Sequence, residues 1–185
     1  GETMNGEERR AQLLALLRKS REPRSGSDLA KALGVSRQVI VQDMALLRAR
    51  TDLEILSTYR GYLLDRDAAP CRRAFKVRHS PADTRRELQE IVDLGGRVED
   101  VFVYHKVYGV VRAGLRIASR RDIEGFLTRL ASSRSEPLMR ITDDFHYHTV
   151  SAASEEILDA VEARLGELGF LAPLREYEPE DVTGR

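Results

Sequence analysis

Apolar and polar positions divide this chain into two kinds of pattern. In Glu7–Lys19, Leu13, Leu14, Leu16 and Leu17 fall on one helical stripe among charged residues. Pro23 stops that helix. Ser27-Asp28 opens a short second helix, SDLAKAL, with Ser27 as the expected N-cap, and Gly34 ends it where a left-handed residue is needed. Ser36 caps a third helix whose buried stripe is Val39, Ile40, Met44 and Leu47. Two short helices joined by a tight glycine turn predict a helix-turn-helix. Leu53 to Leu56 reads as a strand, Ser57 to Gly61 as a turn and Tyr62 to Leu64 as the returning strand, which together make a wing.

After the polar stretch DRDAAP the periodicity changes. Ala74 to His79 alternates like a strand. Ser80-Pro81 opens a helix running to Leu94, with Leu88, Ile91 and Val92 inward, and Gly95-Gly96 closes it. Val98 to His105 and Gly109 to Ile117 read as two strands of a hairpin. Ser119 caps a helix to about Ser132, Phe145 to Ser151 is a strand, and Ser154 to Leu168 is a last helix ended by Gly169. The order β-α-β-β-α-β-α predicts an α+β sandwich, with helices on one face of a mainly antiparallel sheet. The expected organisation is a winged helix-turn-helix at 1–64, a linker at 65–70, an α+β domain at 71–176 and a tail at 177–185.

Charge sharpens that division. The net charge is zero, yet residues 1–64 hold 11 Lys/Arg against 8 Asp/Glu, and residues 65–185 hold 19 against 22. A basic module ahead of an acidic body suits a nucleic-acid reader with a control domain. No apolar run approaches the roughly 20 residues that span a bilayer. Gly1–Arg10 carries no signal-peptide core, and one cysteine, Cys71, excludes an internal disulfide framework. A cytoplasmic location is therefore expected.

The third helix carries the candidate DNA chemistry. Its N-terminal end should enter the major groove of double-stranded operator DNA. Arg37, Gln38 and Gln42 offer bidentate donors and acceptors to base edges, and Ser27, Ser36, Arg48 and Arg60 could hold phosphates. The pattern D-L-A-x-x-L-G-V-S-R-x-x-I-x-x-D-x-x-x-L-R, Asp28 to Arg48, resembles the winged-helix modules of bacterial repressors, including the DNA-binding part of biotin repressors.

The second half has the metal chemistry. His146-Tyr147-His148 on a strand puts both imidazoles on one face, roughly 6–7 Å apart at the backbone. His79 ends the first strand of that half, and Glu87 lies two turns into the next helix. Three imidazoles and one carboxylate form a set that suits zinc, nickel or a similar divalent transition metal. Each has a bland alternative: a surface strand pair for His146 and His148, a solvated helix residue for Glu87, and a structural hydrogen-bonding role for His105.

The motif R-H-x7-E-L-x-x-I-V-D-x-G-G-x-V-x-D-V-x-V-x-H-x-V-Y-G, Arg78 to Gly109, and the later F-H-Y-H-T resemble the three-histidine (3H) domain. With the winged helix ahead of it, the chain is similar to the niacin-responsive repressors of bacterial NAD biosynthesis and niacin uptake genes. The resemblance spans roughly residues 7 to 172. It implies a homodimeric repressor, not an enzyme, that binds one divalent metal per chain and senses nicotinic acid or a related niacin. Carried over by motif, the metal ligands are His79, Glu87, His146 and His148. His105 falls in the family's H-P-V-Y-G segment, where Lys106 replaces the proline. Tyr104, His105 and Tyr108 are the candidate effector-binding residues. The competing readings are a regulator whose signal is the metal itself and a metal-dependent hydrolase fused to a winged helix.

Overall fold

A computed structural model describes residues 4–50, 54–65, 69–133, 136–174 and Glu178. The chain forms two compact units, Gly1–Ala68 and Ala69–Arg185. The division falls inside the polar 65–70 stretch, of which 66–68 lie outside the described residues, as does the 177–185 tail apart from Glu178.

The first unit packs α1 (Gly6–Lys19), α2 (Gly26–Leu33) and α3 (Arg37–Arg50) around Leu13, Leu17, Leu29, Ile40 and Met44, all at most 1% exposed. Each such side chain contributes about 1.5–3 kcal/mol by leaving water. Two local expectations are corrected. Ser25, not Ser27, is the N-cap of α2: its side chain accepts the Asp28 amide, and Ser27 sits exposed in the first turn. Val39 is only half-buried, because α3 turns Asp43 inward beside Met44 and Leu47. Ser36 does cap α3, accepting the Val39 amide at 3.3 Å.

The wing is β1 (Ile55–Thr58) paired antiparallel with β2 (Gly61–Leu64). Its turn is narrower than the Ser57–Gly61 expected, because Ser57 and Thr58 still pair with Tyr62 and Gly61, leaving Tyr59-Arg60 at the tip. Leu53, expected to begin the wing, lies outside the described residues. Tyr62 also exchanges two main-chain hydrogen bonds, each 2.8 Å, with Arg24. That approach needs glycine at 61, where φ is 129° and a Cβ would lie 2.3 Å from the Arg24 carbonyl.

The second unit is an antiparallel sheet in the order β3-β6-β4-β5, built from β3 (Cys71–Arg78), β4 (Arg97–His105), β5 (Gly109–Ile117) and β6 (Phe145–Ala152). With α4 (Thr84–Asp93), α5 (Arg120–Ser132) and α6 (Glu155–Glu167) it gives the α+β order read from the chain. The caps at Ser119 and Ser154 are present, each accepting a first-turn amide. Leu88, Ile91, Val98, Ile123, Val150, Leu158 and Val161 form the core, each at most 1% exposed. The β4–β6 pairing slips. Val98 faces Val150 and Phe102 faces Tyr147, so four steps along β4 match three along β6, a β-bulge.

Candidate metal centre and DNA-reading helix

Three imidazoles are brought to one carboxylate by the sheet register. Val77 pairs with His146 and Phe75 with His148, and His79 follows directly after β3. Strand alternation sends His146 and His148 to one face and Phe145 and Tyr147 to the other. Pro81 opens a 3-10 turn that leads into α4, whose inward face carries Glu87, Leu88 and Ile91. Glu87 is wholly buried, so the solvated-helix alternative does not hold. His79, His146 and His148 are 7%, 2% and 4% exposed, so the pair is not a surface pair either.

All three rings present Nε2 to Glu87. His79 and His146 both address Oε2, the latter at 3.3 Å, and His148 lies 2.7 Å from Oε1. The rings of His79 and His146 stand edge-on at 4.8 Å, and those of His146 and His148 at 5.0 Å. Each Nδ1 faces a main-chain carbonyl: Ser80 for His79 at 2.7 Å, Asp144 for His146 at 3.0 Å and Asp100 for His148 at 2.7 Å. A carbonyl only accepts, so each Nδ1 carries the proton and each Nε2 is left for a ligand. Outer carbonyls that set tautomer and ring direction are the usual support of histidine metal sites.

The electrostatics are those of a closed charge cluster. Burial works against the Glu87 charge, but His148 and His146 outweigh it and hold its carboxyl well below the usual carboxylate range. Burial pushes the His79 and His148 imidazoles down, and their contacts with Glu87 more than reverse this, so both hold a proton more strongly than a free imidazole. Glu87 Oε1 is buried and makes no hydrogen bond, because the approach of His148 lacks the geometry. An orphaned buried acceptor beside converging Nε2 atoms fits a divalent ion of the zinc or nickel type. Donor atoms of His79, Glu87 and His146 lie within 4.8 Å of one another, and His148 adjoins them through Oε1.

The effector candidates lie elsewhere. His105 Nδ1 accepts the Val107 and Tyr108 amides at 3.1 and 3.2 Å, and its ring lies 4.8 Å from that of Tyr108. It closes the β4–β5 turn, the structural role left open for it. Tyr104 and His105 line a cavity of about 400 Å³ with Lys106, Thr142, Phe145 and Tyr147. Phe145 and Tyr147 reach it from the sheet face opposite the imidazoles. Tyr108 is 78% exposed and does not line it.

In the first unit, Arg37, Gln38 and Gln42 are exposed along α3, as DNA reading requires. Val41 shares that face at 46% exposed. An exposed apolar side chain at that position suits contact with a thymine methyl. Ser27 and Ser36 are also exposed. Arg48 is committed to the wing: Nε donates to the Ile55 carbonyl at 2.9 Å and Nη2 to Ser57 Oγ at 2.6 Å. Arg60 at the wing tip pairs with Glu22 at 3.4 Å. The sequence reading also missed Asp43, which ties α3 to α1 through Arg9 at 2.6 Å and Arg10 at 3.3 Å.

Comparison with known proteins decides the family. Residues 72–174 match the 3H domain and residues 9–63 match an HTH domain. The chain belongs to the 3H family of transcription repressors. It is 38% identical over 165 residues to the "Probable transcription repressor NiaR" of Thermotoga maritima, covering 89% of this chain and 94% of that protein. It is 39% identical over 170 residues to the "Transcription repressor NadR" of Bacillus subtilis, covering 90% and 94%. Both relatives are repressors, not enzymes, which removes the fused-hydrolase reading. Among the described residues no helix is long and apolar enough to cross a membrane.

Proposed function

We propose that this repressor controls genes of NAD biosynthesis or niacin uptake, and that it senses nicotinic acid or a related niacin through a metal-containing 3H domain. The observation that carries the metal part is the convergence of three tautomer-fixed imidazoles on one buried carboxylate. His79, Glu87, His146 and His148 hold one divalent ion, zinc or nickel, per chain. The ion would sit against the Glu87 carboxylate and would tie β3, β6 and α4 together. The niacin enters the cavity lined by Tyr104 and His105, with Tyr108 at its turn, and shifts the spacing of two winged helices across a homodimer. Arg37, Gln38 and Gln42 read operator bases, while Ser27, Ser36 and Arg60 approach phosphates and Arg48 steadies the wing between them.

A second reading has a specific observation behind it. The imidazole cluster is buried and faces away from the cavity, which favours the metal itself as the signal. Operator binding by the metal-loaded protein, followed by fluorescence anisotropy, separates the two. Nicotinic acid at constant metal changes operator affinity if niacin is sensed. If only a chelator changes it, the ion is the signal.

A further inference from the structure

We propose that Asp100 is a positioning residue for this metal centre, acting from the opposite face of the sheet through the β4 bulge. The inference rests on reading the cluster as a metal site. Phe102 pairs with Tyr147, so regular antiparallel register would set Asp100 opposite Thr149 and engage both main chains in the ladder. At the bulge this exchange is replaced. The Thr149 amide donates to Asp100 Oδ1 at 2.8 Å, and the Asp100 carbonyl turns to accept His148 Nδ1–H at 2.7 Å. The side chain stands in for its own main chain and releases the carbonyl that fixes the His148 tautomer.

The carboxylate is itself clamped. Its other oxygen pairs with Arg112 Nη1. The Arg112 guanidinium lies 4.1 Å from the centre of the Phe102 ring, and Phe102 stacks on Tyr147 at 4.8 Å and 7°. Tyr147 sits between His146 and His148 on β6 and points the other way. Asp100 is 7% exposed, so its carboxylate has little freedom to exchange these partners for water. A bulge that re-aims one group beside a functional site is a recurring device, and outer-shell groups of this kind typically change metal affinity by about 10- to 100-fold. Arg112 and the Phe102–Tyr147 stack thereby link the cavity face to the imidazole face.

The test uses the full chain and cobalt(II), whose absorption reports ligand geometry, together with the His148 Nδ1–H proton resonance of the metal-free protein. Asp100→Ala should weaken cobalt binding by about 10- to 100-fold, shift the cobalt spectrum and lose the resonance to solvent exchange. Asp100→Asn keeps an oxygen for the Thr149 amide and should restore most of the affinity. Arg112→Ala should give a smaller loss in the same direction. If Asp100→Ala does not fold, Arg112→Ala decides: cobalt affinity, spectrum and resonance all identical to wild type would overturn the inference, as would a folded Asp100→Ala protein with the same result. Should wild type take up no cobalt while the variants lose the resonance, the metal reading fails and the positioning of His148 stands.

Discussion

Asp43 and Glu87 are both buried carboxylates on helices, one in each unit, and their partners make them different devices. Asp43 meets two guanidiniums, which keep their charge at any ordinary pH. The result is a fixed clamp between α1 and α3 under the DNA-reading face. Glu87 meets three imidazoles, neutral-capable donors that a metal can also use, each with its other nitrogen anchored to the main chain. The first cluster can only hold. The second presents converging ring nitrogens to a buried carboxylate, the arrangement on which the proposed metal site rests.

The largest test of this contrast is Glu87→Gln, which should lower zinc affinity by more than about 100-fold, beyond an outer-shell effect. Competition with a chromophoric chelator measures it, and unchanged affinity would remove Glu87 from the site. Arg37→Ala should cost about 1–3 kcal/mol of specific operator affinity while zinc affinity stays at the wild-type value, keeping the two units' roles separate. Equal operator binding by both proteins counts against the DNA-reading assignment.

Asp43→Ala should destabilise the first unit by about 1–3 kcal/mol in denaturant melts and leave zinc binding alone. Its pH dependence has a definite sign. Burial pushes the Asp43 pKa up, but Arg9 and Arg10 more than reverse this and leave it below the ordinary value. The native carboxyl thus binds a proton more weakly than the unfolded one. Its contribution is complete above the usual range of about 3.9 and is lost as pH falls through the lowered native value. Acid melts of wild type should therefore show a decline below about pH 4 that Asp43→Ala lacks. Smallest of all, Arg85→Ala breaks only the exposed pair with Glu124 and should not shift the unfolding midpoint measurably.

Much of this was legible in the sequence. The helix-turn-helix period, the β-α-β-β-α-β-α order and the same-face placement of His146 and His148 follow from periods of 3.6 and 2, and the structure has them. Glu87 was legible through its motif, and only the fold shows how completely it is buried. What stayed hidden depends on three-dimensional detail. Ser25 caps α2 instead of Ser27 because two serines separated by one glycine look alike to a pattern. The Arg9–Asp43 clamp joins residues 34 apart. The role of Asp100 arises from a register slip that strand alternation does not announce. His105 was open between an effector contact and a structural role, and only the fold shows the β4–β5 turn using its Nδ1.

Metal content tests whether the buried imidazole–carboxylate cluster is a metal centre. The purified chain, loaded with zinc or nickel and dialysed, should retain about one ion per chain by elemental analysis, and His146→Ala together with His148→Ala should retain none. Wild-type protein emerging free of metal, or a double variant still holding its ion, would mean that the cluster is not a metal centre.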